Sequence, residues 1–295
     1  MKRILITGSN GFLGQELVKK LKKLNYCVFE FSRKNKKDIL QKKSFDKFKN
    51  IDTVFHLAAV VGYVNVAKNI ELAYKTNVLG TINVLEFCQR QKAKLLFPST
   101  FVYGSPFDKK KKETDSVDPA NFYTYSKYLG ELYCRLFAEK YQVDTVIART
   151  ANAYGPNQPK QYIIPLLIES FKKGKKLVLT DADAKRDYLF IDDLASAYIA
   201  LAKTKTKRGE IFNVSSGKST SLKNLVDIIR KITNSDIKIR YRKRLRKNEV
   251  SQSLFDNSKI LEKTNWKPEY SLERGLRETV KKEKKIYGQW VMNHR

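Results

Sequence analysis

Histidine is almost absent from this chain and cysteine is scarce. Two histidines, His56 and His294, and three scattered cysteines, Cys27, Cys88 and Cys134, stand in 295 residues. None of them are grouped at metal-ligand spacing, so no metal site is expected. The odd cysteine count and apolar surroundings point to reduced thiols in a cytoplasmic protein rather than a disulfide framework. Long apolar runs are missing too; none approaches the ~18–20 residues that span a bilayer. The opening Met1-Lys2-Arg3-Ile4-Leu5-Ile6 runs straight into Thr7-Gly8, without an h-region or cleavage site, and no secretion is expected. Carboxylates are also in short supply. Against 59 Lys+Arg there are 30 Asp+Glu, a net charge of +29. The basic residues are dispersed from Lys19-Lys20 through Lys109-Lys110-Lys111-Lys112 to Lys281-Lys282, with no basic tail and no aromatic-basic RNA motif. That pattern predicts a solvated lysine surface, which concentrates small anions, and not a nucleic-acid interface.

What is present suffices for a folded core: 42% of residues are hydrophobic and 12% aromatic, which excludes low-hydrophobicity disorder. Strand-like runs over 2–7, 27–31, 52–59, 94–98 and 145–149 alternate with helical spacing over 12–24, 70–90 and 123–141. Such alternation predicts right-handed crossovers and a parallel sheet with helices on both faces. Beyond Gly155-Pro156-Asn157-Gln158-Pro159 the pattern turns to short mixed elements.

The first strand leads into Thr7-Gly8-Ser9-Asn10-Gly11-Phe12-Leu13-Gly14 and then a helix. Gly8 permits the tight turn, Gly11 lets backbone N–H groups approach a diphosphate, and Gly14 allows close packing. The diphosphate of a dinucleotide would rest on the helix N-terminus.

The Gly-x-x-Gly-x-x-Gly spacing, with Tyr123-Thr124-Tyr125-Ser126-Lys127 as a Tyr-x-x-x-Lys motif, resembles the short-chain dehydrogenase/reductase superfamily. His56-Leu57-Ala58-Ala59, Asn77-Val78-Leu79-Gly80-Thr81, Val102-Tyr103-Gly104, Asn152-Ala153-Tyr154-Gly155-Pro156 and Arg186-Asp187-Tyr188 extend the likeness to its extended branch. The chain is thereby similar to the NAD(P)-dependent epimerase/dehydratase family, which acts on nucleotide-diphosphate sugars. The resemblance implies a Rossmann-type doubly wound parallel sheet over 1–155, rejoined by parts of 185–215. A smaller, interleaved α/β substrate-binding region is implied over 156–295.

It also implies the site. The cofactor would meet Gly8, Asn10, Gly11, Phe12, Leu13 and Gly14, the strand-end residues Leu57, Ala58 and Ala59, and Asn77. Asp38-Ile39 matches the adenine-contacting pair. At the ribose position stand Ser32 and Arg33, with Glu30 two residues earlier. No carboxylate there opposes a 2′-phosphate, and Arg33 can pair with one, which favours NADP over NAD. Ser99, Tyr123 and Lys127 take the catalytic positions, with Thr100 as the fallback for Ser99. A phenol is a weak base at neutral pH, and the Lys127 ammonium together with an oxidised nicotinamide is expected to make Tyr123 more acidic. Substrate contacts map onto Ser99, Thr100, Asn152, Arg186, Arg246 and Glu249, with the arginines holding the diphosphate.

Sugar 4,6-dehydratases carry Asp-Glu where this chain has Thr100-Phe101, so dehydration is disfavoured. An epimerase or a 4-ketoreductase acting at C4 remains. Ser32-Arg33 leans towards the reductase and the whole-chain likeness towards the epimerase. The family also implies a homodimer formed by the helices that carry Asn77 and Lys127. The alternative is a non-catalytic relative that senses NADPH or binds RNA, against which the Tyr123/Lys127 pair speaks.

Overall fold

A computed structural model describes residues 2–104, 109–242 and 251–292, the last ten of these by their backbone alone. The chain begins β1 (Arg3–Thr7), α1 (Phe12–Lys23) and β2 (Cys27–Phe31), followed by β3 (Thr53–His56). Next come α2 (Tyr63–Lys68), α3 (Ile70–Tyr74), a π-helical turn (Lys75–Leu79), α4 (Gly80–Gln91) and β4 (Lys94–Ser99). The long helix α5 (Phe122–Tyr141) precedes β5 (Thr145–Thr150), β6 (Asn152–Tyr154), α6 (Ile163–Lys172) and β7 (Val178–Thr180). Then follow β8 (Lys185–Phe190), α7 (Ile191–Lys203), β9 (Glu210–Val214), β10 (Ser219–Ser221) and α8 (Leu222–Thr233). The chain finishes with β11 (Arg240–Arg242), α9 (Ser258–Lys263) and α10 (Leu272–Met292).

The main sheet has the order β2-β1-β3-β4-β5-β9, every pairing parallel. Because β2 and β3 flank β1 on opposite sides, the winding reverses there and opens a crevice at the strands' C-terminal ends. Alternation along each strand feeds two cores. Ile4 and Ile6, with Val146 and Ala148, pack under α1 and α7. Leu5 and Ile147 face the other way, under Val84 and Leu85 of α4 and Phe137 of α5. A third core, of Leu167, Phe171, Leu225, Ile229 and Leu276, joins α6, α8 and α10. Beside it lie a small sheet, β10-β8-β6, and the β11-β7 pair. α7 and β9 return to the main sheet, while β6, inside the first expected range, pairs with β8 in the small one.

Two local expectations change. The motif-bearing strand stops at His56, so Leu57-Ala58-Ala59 lies in the loop beyond it. The helix expected over 70–90 runs without a gap from Ile70 to Gln91 but widens into a π-helical turn over Lys75–Leu79. Asn69 caps α3 by accepting from the Leu72 N–H at 2.8 Å, and the π-helical turn then carries Asn77 inward. No helix among the described residues is long and apolar enough to cross a membrane.

Candidate active site

The glycine turn has the features of an anion cradle. Gly8 sits at φ +67°, and a Cβ there would lie 2.7 Å from the Ala58 nitrogen. A Cβ on Gly14 would meet the Gly8 carbonyl and lie 2.7 Å from that of Ser9. α1 starts at Gly11 with no side-chain cap and no acidic residue in its first turn, which leaves its N–H groups and positive end for an anion. Beside the turn, the hydroxyl of Ser32 donates to Asn10 Oδ1 at 3.0 Å. Glu30 is drawn away by Lys22, 2.8 Å from its carboxylate, while Arg33 and Lys34 are exposed at the strand end.

A cleft of about 1420 Å³ runs from this turn across the ends of β4 and β5 to β7 and β8. One wall carries Phe12, Leu13, Gly14, Leu57 and Ala59; Ser99, Thr100, Tyr123 and Lys127 line its middle; Asn152 and Arg186 line its far side. Gly8, Asn10, Gly11, Ser32, Arg33 and Ala58 flank the turn outside this lining. Three expected cofactor contacts have their side chains engaged elsewhere. Asn77 accepts from the Val60 N–H at 2.8 Å and donates to the Val60 carbonyl at 3.0 Å and to Ser126 Oγ at 2.9 Å. Asp38 accepts from the Leu40 N–H at 3.0 Å, and Ile39 is buried against Gly80. Arg246 and Glu249 lie outside the described residues.

α5 positions the catalytic candidates. Asn121 and Thr124 form a reciprocal capping box at its start, which fixes the first turn that bears Tyr123. Ser126 donates to the Tyr123 carbonyl at 2.8 Å, so Asn77 and the capping box together hold this turn. Lys127, one turn on, is buried with its ammonium 4.2 Å from the centre of the Phe97 ring. Burial lowers its pKa to about 8, against the raising effects of Cys134 and Glu131. Tyr125 faces solvent.

Tyr123 differs from the expectation. Burial dominates and pushes the phenol well above its usual range; Tyr162 adds to the rise, and a hydrogen bond from the Thr100 side chain opposes it. In the protein alone, burial outweighs the acidity expected from the Lys127 ammonium. Both candidate hydroxyls, Ser99 and Thr100, line the cleft with the phenol. Ser99 Oγ is buried and has no hydrogen-bond partner, although its residue lines the cleft.

His56 is held by a chain of donors and acceptors. Thr81 donates to the Asn77 carbonyl at 2.7 Å, so its oxygen accepts from His56 Nε2 at 3.0 Å. That tautomer leaves His56 Nδ1 to accept from Thr7 Oγ1 at 2.8 Å, and Thr7 in turn accepts from the Ala58 N–H at 3.2 Å. Burial, then the charge of Lys127, lower the imidazole pKa to about 3. It is a neutral strut.

On the far side, Arg186 and Asp187 point apart. Arg186 donates to the carbonyls of Lys185 at 2.9 Å and Ser251 at 3.2 Å while lining the cleft. Asp187 is fully buried and accepts from the N–H groups of Ser216 and Gly217, both at 3.0 Å, and from the Ser216 hydroxyl at 2.7 Å. Tyr162, Tyr198 and Gln158 also line the cleft. Sequence reasoning missed them, because Tyr198 reads as one more core residue of α7 and the other two stand in an unpatterned turn.

A model of the NAD dependent epimerase/dehydratase family matches residues 4–215. The chain belongs to that family. It is 33% identical to a putative UDP-glucose 4-epimerase of Methanocaldococcus jannaschii, over 94% of this chain and 97% of that protein. It is 26% identical to the dTDP-D-glucose 4,6-dehydratase of Mus musculus, over 98% of this chain and 90% of that one. The crystal structure of a Thermotoga maritima UDP-glucose 4-epimerase with UDP-glucose superposes with a TM-score of 0.91 at 28% identity, covering 97% of this chain and 99% of that one.

Proposed function

We propose that this protein is a nucleotide-sugar 4-epimerase that works with a nicotinamide dinucleotide. One observation carries the reading. A single cleft unites an uncapped glycine-turn helix with Ser99, Thr100, Tyr123 and Lys127, and with an arginine across from them. The turn residues, Gly8 to Gly14, would hold the diphosphate of the dinucleotide, whose ring supplies a carbon that takes hydride and gives it back. Tyr123 then takes the proton of the sugar hydroxyl at its phenol oxygen, with Thr100 and Ser99 orienting the same oxygen. An oxidised ring held beside Lys127 would add the positive charge that brings the buried phenol into range. Arg186 pairs with the sugar-linked diphosphate. Thr100 and Phe101 offer no carboxyl group to expel or abstract at a neighbouring carbon, which sets this site apart from dehydration.

Ser32 and Arg33 support a second reading, a 4-ketoreductase that consumes NADPH, because the carboxylate of Glu30 is tied to Lys22. Mass spectrometry of the dinucleotide that co-purifies decides between them. Tightly retained NAD with UDP-glucose/UDP-galactose interconversion marks the epimerase. Loosely held NADP, with NADPH oxidised by a 4-keto-6-deoxy sugar nucleotide, marks the reductase.

We further propose a homodimer through α4 and α5, which pack together and leave Leu72, Leu79, Leu132 and Leu136 exposed nearby. Light scattering is expected to give twice the chain mass, and Leu132→Glu with Leu136→Glu to give a monomer.

A further inference from the structure

The cleft separates the main-sheet half from the half built on the third core, and one side chain reaches across it. Tyr162 stands at the start of α6. Its carbonyl accepts from the Leu166 N–H at 3.0 Å, and its own N–H donates to the Pro159 carbonyl at 3.1 Å. α6 buries Ile164, Leu167 and Ile168 in the third core, so the Tyr162 backbone is anchored to the far wall. Its phenol points the other way. The hydroxyl lies 3.7 Å from where a Cβ on Gly62 would stand. Gly62 opens α2, which packs on α5 of the main-sheet half. With φ at +87° this position favours glycine, and the missing side chain leaves the phenol room beside the backbone. Both residues line the cleft, and the Tyr162 phenol is among the groups that act on Tyr123. Tyr162 is half-buried, and among the described residues no hydrogen bond holds its hydroxyl.

A ring anchored on one wall and resting on the other without a bond bars the cleft and is free to turn aside. We propose that Tyr162 is a swinging bar: it turns aside to admit the nucleotide sugar and, turned back, shuts the sugar in beside Tyr123. The proposal rests on the nucleotide-sugar 4-epimerase reading and gives the ring a task within it. Between oxidation and reduction the sugar is a ketone, its C4 hydride passed to the dinucleotide and its hydroxyl proton to Tyr123. A ketone that escaped then would leave the dinucleotide reduced and the turnover unfinished. The bulk of the ring spans the gap, and the unpartnered hydroxyl adds little. A bar slows entry and exit alike, so its removal raises both rates and leaves Kd nearly unchanged. A residue that bonds the ligand acts chiefly on the exit rate.

The test uses the holoenzyme and stopped-flow binding. UDP-, dTDP- and CDP-glucose are tried in turn, and both rates are measured for the nucleotide that binds. Tyr162→Ala is expected to raise kon and koff about 3- to 10-fold each, with Kd within about threefold. Tyr162→Phe keeps the ring and is expected to stay within about twofold of the unmodified protein. Unchanged rates in Tyr162→Ala overturn the proposal. A rise in koff alone, or a Phe variant that behaves like the Ala variant, overturns it too, because each makes the phenol a ligand contact. During turnover, Tyr162→Ala is expected to lose ketone. Mass spectrometry of the filtrate after deuteride reduction reads the 4-keto sugar nucleotide, and absorbance reads an equal amount of reduced dinucleotide on the protein. Leakage no greater than in the unmodified protein overturns the retaining role. Should Tyr162→Ala melt early, Tyr162→Leu takes its place with the same expected rates. If the unmodified protein binds a sugar nucleotide without interconverting it, the epimerase reading alone falls, and the two rates still decide. If it binds none, the nucleotide-sugar reading falls and the bar falls with it.

Discussion

The two walls of the cleft are built to different rules. On the main-sheet wall, polar side chains are tied to one another: Thr7 to His56 to Thr81, Asn77 to the Val60 peptide and to Ser126. Deeper in the same half, Arg149 grips the carboxylate of Glu131 at 2.7 Å, with both side chains almost fully buried. On the wall given by β6, β8 and the turn after Tyr154, the polar side chains are tied mainly to backbone. Asn152 is exposed and donates to the Asp187 carbonyl at 3.2 Å, Gln158 donates to the Ala153 carbonyl at 2.8 Å, and Arg186 leans on backbone carbonyls. Ser99 stands at the seam. The first wall locks side chains to one another, and the second presents Asn152 and Arg186 to the cleft from backbone anchors. A substitution on the first should therefore register in stability, and one on the second in binding.

The largest effect is expected where the walls meet. Tyr123→Phe should lower kcat by about 10²- to 10⁴-fold, the range for removing a positioned acid/base. Its melting temperature should hold or rise, because a buried hydroxyl is lost. Turnover near that of the unmodified protein would remove the phenol from the mechanism. The two hydroxyls beside it can then be ranked. Both line the cleft, and removal of the one that bonds the reacting oxygen, by Ser99→Ala or Thr100→Val, should lower kcat more. The larger loss in Ser99→Ala would support the position read from the motif, and the larger loss in Thr100→Val would support the fallback.

Within the main-sheet half, Glu131→Gln leaves the Arg149 guanidinium buried beside a neutral amide. It should cost about 3–5 kcal/mol, read from denaturant unfolding. Pairing Glu131→Leu with Arg149→Met should recover much of that loss, because the charge and its partner go together. Failure of the double variant to recover would mean that the pair orders α5 against β5 in a way that volume cannot replace. Arg186→Ala, on the other wall, should leave stability nearly unchanged and weaken nucleotide-sugar binding about tenfold or more. A lowered melting temperature with unaltered binding would reverse the assignment of the two walls.

How much of this was visible beforehand depended on range. The glycine turn and the Tyr123/Lys127 pair are local, because their spacing alone sets a turn and one helix face. The parallel order also followed from the alternation of elements. The stretch between β2 and β3 was harder to read. It holds two short 3₁₀ turns, and Phe45 stacks on Phe31 at 4.7 Å, a tertiary contact that no local spacing announces. The π-helical turn inside the 70–91 helix was hidden for the same reason, since Asn77 reaches a loop 17 residues back. Gln158 and Tyr198 acquire their character from burial, and burial is a property of the whole fold.

The smallest expected effect concerns the clasp behind Arg186. Burial is the main influence on Asp187 and raises its pKa to about 6, although the hydroxyl and N–H groups of Ser216 and the N–H of Gly217 hold it down. A carboxyl group whose pKa is raised on folding binds more protons in the native state between its unfolded value, about 4, and about 6. Its contribution to stability is therefore greatest at acid pH and shrinks as pH rises through that window. Asp187→Asn keeps the volume and removes the titration. The slope of unfolding free energy between pH 4 and 6.5 should accordingly become more positive in the variant. The loop at Ser216–Gly217 should also exchange its amide protons faster, since a neutral amide oxygen attracts those N–H groups less than a carboxylate. If the slope stayed the same, Asp187 would be ionised throughout that range, and its donors would outweigh its burial. β8 and the Arg186 it presents would then be held by a permanent charge.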